Sequence, residues 1–364
     1  MEDLVLGGSD SYTTGIRQDT YYSGPSWNRY FNPDLTWEVG EKINLGLDLQ
    51  LFNDFNLTFD IFREKRRDIF MTRENSIPEI VGTGETKITS NNGEMENKGL
   101  DLAIDYNKQI TKDFFLSFKS TLTFARNKVL KMDESPYFEY PGLSDVGHPL
   151  GTYWGYVADG LFPDQETIDN SPRQDLGYTP QPGDIKYVNQ PNAKGEYDNV
   201  INSNDRVAIG HPYDPELVYG FGPSMKWKNW DFSFFFQGVA RTSFMMYGMH
   251  PFGTTSIKNM LQFVADDHWS VDNPNPNAAY PRLTKDSNGN NDQYSTYWLR
   301  NAAFLKLKNA EIGYTYKGMR FYLSGVNLLT FSPFKHWDPE MGGGNGLYYP
   351  TQRVFNIGFQ MTIQ

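Results

Sequence analysis

The amino-acid sequence predicts an all-β fold: a segment of an antiparallel transmembrane β-barrel with long extracellular loops. Three observations predict it. Apolar and polar residues alternate with a period of two, short turns alternate with long links, and aromatic residues collect near the ends of the alternating runs. Of the 364 residues, 16% are aromatic and 21% charged, and none is cysteine. No apolar run reaches about 18 residues, which excludes a helical membrane protein.

The alternation is clearest over residues 43–51, where Ile or Leu occupies every odd position and a polar residue or glycine every even one. It resumes after Asn53-Asp54, so the two runs predict an antiparallel hairpin. Three more hairpins follow the same pattern, one of them with a change of phase between Leu307 and Ile312. About nine strands are predicted in all, over residues 43–51, 57–61, 100–106, 116–124, 217–227, 232–236, 305–314, 321–323 and 355–363.

The links between the hairpins are long and rich in Pro, Gly, Asn, Asp and aromatic residues. Loops of this length inside compact domains are usually functional. Short turns at one end of the strands and long loops at the other are typical of outer-membrane barrels. A soluble β-sandwich, with the apolar face as its core, would show the same alternation and stays open as an alternative. The four links cover roughly residues 63–97, 126–215, 239–302 and 329–352.

Nine strands do not close a bacterial barrel, because single-chain barrels have even strand numbers and an open edge in lipid leaves backbone groups unpaired. Residues 1–30 carry a weak pattern that allows one more strand. A small barrel would hardly need a loop as long as the link 126–215. The chain is therefore interpreted as about 9–10 strands of a larger barrel.

Short sequence elements in a fixed order identify a resemblance. The chain resembles the C-terminal barrel portion of the SusC/RagA family of TonB-dependent outer-membrane transporters. The similarity is spread over nearly the whole chain and is specific through the order of its elements. These elements are NPDLTWE at 32–38, NKGLD at 97–101, GHPLG at 147–151, YWGY at 153–156, PGDIKY at 182–187, NDRVAIG at 204–210, YPR at 280–282, WLRN at 298–301, LKLKN at 305–309, GVNL at 325–328 and DPE at 338–340.

The resemblance implies a 22-stranded, plugged barrel in the bacterial outer membrane. Residues 1–364 then form its C-terminal part, and the plug, the TonB-contacting segment and the first barrel strands precede it in a longer transporter. The implied function is import of glycans (oligosaccharides), or of peptides, together with a SusD-like surface lipoprotein that acts as a lid. TonB, the remaining barrel and plug, and outer-membrane lipid are the other implied partners. A basic run, Arg63 to Arg67, is either a contact for lipid phosphates or an exposed loop stem.

One loop resembles a calcium-binding loop that many relatives contain. Aligning it on Ile201 and Asp205 puts Lys194 at the first ligand position and Asn199 in place of the turn glycine. A cation at the first ligand position opposes calcium binding. We therefore expect no cofactor and no metal, and we expect the 194–205 loop to keep its turn without the ion.

Glycan transport needs flat ring faces for sugars, with amides and carboxylates nearby for the hydroxyl groups. Tyr348 and Tyr349 are one of the ring sets that the loops offer for stacking. The rings at 153–156 belong to a family element and are interpreted as loop packing. Trp269, next to His268, is interpreted as a solvated loop end. The alternative for every ring is packing between loops. The predicted substrate-binding residues are Tyr137, Phe138, Tyr140, Tyr294, Tyr297, Trp298 and Trp337.

Other function classes find no support in the sequence. There is no metalloprotease, nucleophile-elbow, P-loop or Rossmann motif, and cysteine chemistry is impossible. The five histidines stand singly, so an enzyme is not expected. A formal net charge of −11 argues against a nucleic-acid partner.

Overall fold

The computed structural model describes residues 3–18, 20–29, 31–73, 77, 80, 88–134, 139–247, 260–284 and 287–361. Its two helices, α1 (Gln165–Asp169) and α2 (Gln262–Asp266), have five residues each. Among the described residues, no helix has the length and apolar character needed to cross a membrane. The strands, in chain order, are β1 (Asp3–Thr14), β2 (Thr20–Arg29), β3 (Val39–Leu51), β4 (Phe55–Thr72), β5 (Thr89–Thr111), β6 (Phe114–Lys131), β7 (Tyr153–Gly155), β8 (Ala158–Leu161), β9 (Arg173–Gln174), β10 (Ile185–Tyr187), β11 (Val200–Ile201), β12 (Val207–Ile209), β13 (Leu217–Trp227), β14 (Trp230–Ala240), β15 (Ser243–Met245), β16 (Leu299–Asn301), β17 (Phe304–Tyr316), β18 (Met319–Phe331) and β19 (Val354–Met361).

One nine-stranded sheet organises the chain, in the order β19-β18-β17-β14-β13-β6-β5-β4-β3. Every neighbouring pair is antiparallel, so the sheet is an up-and-down meander of the nine long strands. Four hairpins turn within two or three residues, at 52–54, 112–113, 228–229 and 317–318. The nine predicted strands and the all-β fold class are confirmed.

Strands β4 and β5 extend well beyond the alternating pattern. The predicted link 63–97 is mostly strand, because β4 continues to Thr72 and β5 begins at Thr89. Ion pairs between the strands replace apolar contacts in this extension: Arg63 binds Glu96 at 2.5 Å and Lys65 binds Glu94 at 3.0 Å. The basic run therefore lies within a strand, where its cations have carboxylate partners.

The predicted change of phase in β17 is a β-bulge. Phe235 pairs with Asn309 and Phe236 with Leu307, which leaves Lys308 as the extra residue. On the other side, β18 also loses register at this point, and Asn327 adopts a φ of +57°. The bulge shifts the side chains of β17 to the opposite face, which accounts for the break in the alternation.

Residues 1–30 form more strand than the single one expected, and in a different place. β1 and β2 pair with each other in a separate two-stranded sheet, with a register shift between Leu6 and Ser11. Among the described pairings, neither joins the nine-stranded sheet. The weak pattern that allowed one more strand therefore corresponds to a local hairpin outside this sheet, which satisfies the backbone groups of the segment.

The apolar face of the sheet is exposed rather than packed. Leu45 is 67% exposed, Leu323 54% and Ile357 88%. A sandwich would bury these side chains against a second sheet. The described residues provide no such cover, and the sandwich alternative fails on this point.

The buried core lies instead in the long links, between residues 153 and 337. Short strands cross-connect these links: β7 pairs with β12, β8 with β10, β9 with β11 and β15 with β16. Ile185 and Ile201 are fully buried, and Tyr187 is 1% exposed. The links are therefore folded together into a compact loop region at one end of the sheet.

A buried polar network joins two of the links. Asp184 is fully buried and accepts hydrogen bonds from Arg282 Nε at 2.7 Å, Asn288 Nδ2 at 3.0 Å and Asn291 Nδ2 at 2.9 Å. A buried charge is tolerated only when it is paired and fully hydrogen-bonded. Breaking this network would leave a buried carboxylate without partners, so these hydrogen bonds hold Asp184 to Arg282, Asn288 and Asn291.

Candidate functional site

Five tyrosines that lie far apart in the sequence, in three of the long links, come together at the surface of the loop region. We call this set, Tyr153, Tyr213, Tyr247, Tyr294 and Tyr348, the tyrosine surface. Four of the five are strongly exposed: Tyr213 is 62%, Tyr247 52%, Tyr294 47% and Tyr348 55% exposed. Exposed aromatic clusters of this size are unusual on the surface of a soluble protein and indicate a binding function.

Tyr153 and Tyr213 are placed by the pairing of two short strands. Tyr153 pairs with Ile209 between β7 and β12, which brings the chain after β12 back toward it. The backbone N–H of Tyr213 then donates to the carbonyl of Gly151 at 3.0 Å. The two rings therefore share one small framework.

Tyr294 is held beside β7 by a close approach of two backbones. The N–H of Tyr156 donates to the carbonyl of Tyr294 at 2.9 Å, next to a parallel bridge between Tyr156 and Ser295. A Cβ atom on Gly155 would lie 2.4 Å from that same carbonyl oxygen. Only glycine fits there, which gives a packing reason for the glycine of the YWGY element.

A run of glycines places Tyr348 beside Tyr247. The backbone N–H of Gly344 donates to Met245 O at 2.8 Å, and the N–H of Tyr247 donates to Gly344 O at 3.1 Å. A Cβ atom on Gly343 would lie 2.4 Å from Met245 O. The segment can therefore lie against β15 only without a side chain at this position.

The hydroxyl groups of the tyrosine surface interact with each other. A hydrogen bond between the hydroxyls of Tyr247 and Tyr348 raises the pKa of Tyr247. Burial, together with the nearby hydroxyls of Tyr213 and Tyr294, raises the pKa of Tyr153. The hydroxyls of Tyr153 and Tyr247 therefore stay protonated at neutral pH, as uncharged donors and acceptors.

This arrangement suits a ligand with flat or hydroxylated surfaces. Ring faces stack on the apolar faces of sugars or on ligand rings, and neutral hydroxyls exchange hydrogen bonds with ligand hydroxyl or amide groups. Within the described residues, no group of three His, Asp or Glu side chains is placed to hold a metal ion. The tyrosine surface can therefore recognise a ligand through uncharged rings and hydroxyl groups.

The predicted site residues are divided between this surface and the loop core. Tyr294 belongs to the tyrosine surface. Tyr137 and Phe138 lie outside the described residues, and Tyr140 is half-buried, close to Asn204 and Asp198. The predicted role of Tyr140 in substrate binding stays a prediction.

The other three predicted residues are packed, with their polar atoms satisfied. Trp298 is 5% exposed and its indole N–H donates to Asn291 O at 2.7 Å. The Tyr297 hydroxyl donates to Ala278 O at 2.8 Å, and burial raises the pKa of Tyr297. Trp337 donates to Gly342 O at 2.9 Å. These placements favour the packing alternative, and the substrate-binding role of these three residues stays a prediction.

Sequence reasoning missed Tyr213 and Tyr247 and misplaced Trp269. Tyr213 and Tyr247 have no aromatic residue beside them in the sequence, and only the folding of the links brings them to Tyr294. Trp269 was expected at a solvated loop end, but it is 6% exposed and packs on Gly183. The interpretation of the 153–156 rings as packing agrees with Tyr156, which is 3% exposed, and with Tyr153, which is half-buried against the loop core.

The loop that resembles a calcium site uses its carboxylate within the protein. Asp205 accepts the backbone N–H of Gln190 at 2.7 Å and that of Asn202 at 2.7 Å, as part of a capping box. Asp205 is 3% exposed, and burial raises its pKa. The turn is held by the capping box between Asn202 and Asp205, and the absence of calcium stays a prediction.

Comparisons with known proteins agree with this architecture. The family model "TonB dependent receptor-like, beta-barrel" matches residues 8–328. The chain is 26% identical to TonB-dependent receptor P3 of Formosa agariphila over 378 residues, 94% of this chain and 36% of that protein. It is 28% identical to TonB-dependent receptor SusC of Bacteroides thetaiotaomicron, over 94% of this chain and 34% of SusC.

Solved structures of the RagAB peptide importer have the same fold. In the open-open state, the match has a TM-score of 0.72 at 20% identity and covers 100% of this chain and 38% of that chain. The structure described as the RagAB peptide transporter matches with a TM-score of 0.69 at 21% identity, over 99% of this chain and 38% of that one. The chain thus spans little more than a third of its relatives, and it belongs to the TonB-dependent receptor-like β-barrel family.

Proposed function

We propose that the chain forms the C-terminal part of the barrel of an outer-membrane importer, and that the importer takes up oligosaccharides. Family membership supports the transport role, and the exposed apolar face of the sheet supports contact with lipid. Rings at the short-turn end are placed for a membrane interface: Phe52 is 88%, Trp227 52% and Tyr316 49% exposed. The two outermost strands, β3 and β19, would pair with the barrel strands that precede this chain.

The tyrosine surface is the observation that carries the choice of cargo. Its five side chains are uncharged, and four of the five are strongly exposed. A glycan presents alternating apolar faces and hydroxyl groups, which such a surface contacts without desolvating a charge. In this proposal a SusD-like lipoprotein closes over the loops, and TonB acts through the N-terminal region outside this chain.

The experiment is uptake and binding by the full receptor, with two exposed tyrosines removed. Tyr247→Ala with Tyr294→Ala should weaken oligosaccharide binding at least tenfold in detergent and slow growth on the same glycan. Tyr197→Ala is the matched control, because Tyr197 is 60% exposed and lies outside the tyrosine surface. It should bind as the parent does.

Two results would contradict the proposal in distinguishable ways. If the receptor binds peptides and no oligosaccharide, the proposed cargo is wrong and the proposed importer role still stands. Recovery of the receptor as a soluble protein without detergent would reject the membrane role itself.

A further inference from the structure

Three cations lie side by side in one row across β4, β5 and β6. Arg63 pairs with Lys98 between β4 and β5, and Lys98 pairs with Arg126 between β5 and β6. Residues directly opposite each other in antiparallel strands point to the same face, with Cβ atoms about 5 Å apart. We call these three residues the basic row. Like charges this close repel each other, so the row is favourable only where anionic groups lie against it.

The basic row lies on the apolar face of the sheet. Two residues nearer the short turns, the same three strands place Ile61, Leu100 and Phe124 side by side. Side chains two residues apart in a strand share a face, so these apolar residues and the basic row point the same way. The basic row therefore borders the surface that contacts lipid in the proposed importer.

The height of the basic row matches one edge of the membrane. Phe55 begins β4 next to a short turn, and Arg63 follows eight residues later. At about 3.4 Å per residue and a strand tilt of about 40°, the two lie about 20 Å apart across the membrane, close to the height of about 25 Å of the apolar band in such barrels. The long links leave the sheet beyond Arg63, and long loops of outer-membrane barrels are extracellular. The basic row is therefore at the level of the lipid headgroups of the outer leaflet.

The carboxylates of the protein neutralise only part of this charge. Glu96 is 6% exposed and binds the first two members of the basic row, at 2.5 and 2.9 Å. Glu216 is 4% exposed and is shared in the same way by Arg126 at 3.1 Å and Arg241 at 2.6 Å. Two buried carboxylates thus serve four cations, which leaves an excess of two positive charges.

The next row outward adds a third uncompensated charge. Lys65, Glu96 and Lys128 lie opposite each other there. Lys65 binds Glu94 at 3.0 Å, whereas Lys128 is exposed and has no salt-bridge partner among the described residues. The side chains of the basic row are 54–61% exposed, so the excess charge is open to a ligand from outside.

These cations suit phosphate groups. Arg63 uses Nε and Nη2 on Glu96, and the remaining N–H groups of its five are left for another acceptor. Guanidinium groups bind phosphate through two parallel, charge-assisted hydrogen bonds. Two phosphate monoesters carry about three to four negative charges, which matches the excess of three. A neutral glycan, the cargo proposed above, would leave this charge unpaired.

We propose that the basic row, together with Lys128, binds the headgroup of an outer-leaflet lipid that carries two phosphate groups. The acyl chains of this lipid lie on the apolar rows of β4, β5 and β6, next to the basic row. The inference rests on the proposed membrane role and is independent of the cargo. It assigns a lipid-binding function to the part of the chain where the strands continue beyond the apolar band.

The test is binding of lipid A to the full receptor in non-ionic detergent, with EDTA present so that divalent cations do not bridge the phosphates. The probes are diphosphoryl lipid A and the same lipid with both phosphates removed, each titrated in mixed micelles. Lys98→Gln with Lys128→Gln removes two cations and leaves a guanidinium on each buried carboxylate, so the fold is kept. Lys42→Gln with Lys119→Gln is the matched control, because both lysines are exposed and lie on the polar face of the sheet.

The parent should bind the diphosphoryl lipid at least tenfold more tightly than the dephosphorylated one. A lysine near an anionic lipid surface contributes about fivefold in affinity. Lys98→Gln with Lys128→Gln should therefore weaken binding of the diphosphoryl lipid at least tenfold, and the control variant should bind as the parent does.

Three results would overturn the inference. They are equal binding of the two lipids, parent-like binding by Lys98→Gln with Lys128→Gln, and competition by inorganic pyrophosphate as strong per phosphate as that of the lipid, since a free anion would then be the ligand. None of them affects the proposed importer, which fails separately if the receptor is recovered without detergent.

Discussion

Replacing Lys306 by methionine tests whether one buried cation holds the last long loop to the sheet. Lys306 lies in β17 with a fully buried side chain. Its ammonium group binds Asp338 at 3.0 and 2.8 Å and also binds Glu340. Methionine keeps most of the side-chain length but leaves these two carboxylates, 20% and 24% exposed, without that cation.

The size of the expected stability loss depends on the burial of Lys306 and on the cation that remains beside Glu340. Removing one member of a buried ion pair costs about 3–5 kcal/mol. Glu340 keeps Lys308 at 3.2 Å, and both carboxylates reach water in part. We therefore expect a loss of about 2–3 kcal/mol in the free energy of opening of this loop. At about 1.4 kcal/mol per factor of ten, opening becomes ~30- to 140-fold more frequent.

Amide hydrogen exchange of residues 338–346 measures this opening directly. Lys308→Met is the matched control, because Lys308 is 28% exposed and its loss should cost less than about 1 kcal/mol. Adding Asp338→Asn to Lys306→Met removes one unpaired charge and keeps the side-chain oxygen that accepts the Glu340 N–H, so part of the protection should return. Equal exchange in Lys306→Met and the parent would refute the argument.

Three further predictions address the loop region and the sheet. Gly343→Ala should push the segment away from Met245 O and separate two rings of the tyrosine surface, which fluorescence of the tyrosines and weakened ligand binding would report; unchanged binding would contradict it. Burial and a nearby arginine lower the pKa of His336. The neutral imidazole therefore stabilises the folded loop region fully above about pH 6.5, and this stabilisation is lost as the pH falls through the lowered pKa. Exchange of residues 260–346 should therefore rise on acidification, and His336→Gln should flatten that rise; an identical pH profile would count against it. Ile357→Lys should cost about 2–4 kcal/mol of barrel stability in lipid if Ile357 faces hydrocarbon, whereas its neighbour Asn356→Lys, on the other face, should cost much less in the same heat-unfolding assay.

The strands were predictable because their signal is local. In residues 43–51 each side chain is assigned to a face by its position alone, and the structure forms β3 over this run. The phase change before Ile312 was also visible, since a bulge moves every later residue to the other face. The outer ends of β4 and β5 could not be predicted, because ion pairs such as Arg63–Glu96 depend on the partner strand and leave no periodicity in the sequence.

The tyrosine surface was only partly predictable. Tyr294 was found because it stands among other rings, but Trp298 stands in the same cluster and is buried. Whether a loop ring is packed or exposed depends on the backbone pairings of distant residues, such as Tyr156 with Ser295. Those pairings have no repeat in the sequence.

The sequence by itself determined the strand pattern, the sheet faces and, through its ordered elements, the family. These properties follow from near neighbours along the chain or from motif order. Only the tertiary structure decided that the apolar face is exposed, that the core lies in the links, and that five tyrosines share one surface. Burial and convergence are properties of residues far apart in sequence, since loop packing depends on volume and hydrogen-bond partners that no local period encodes.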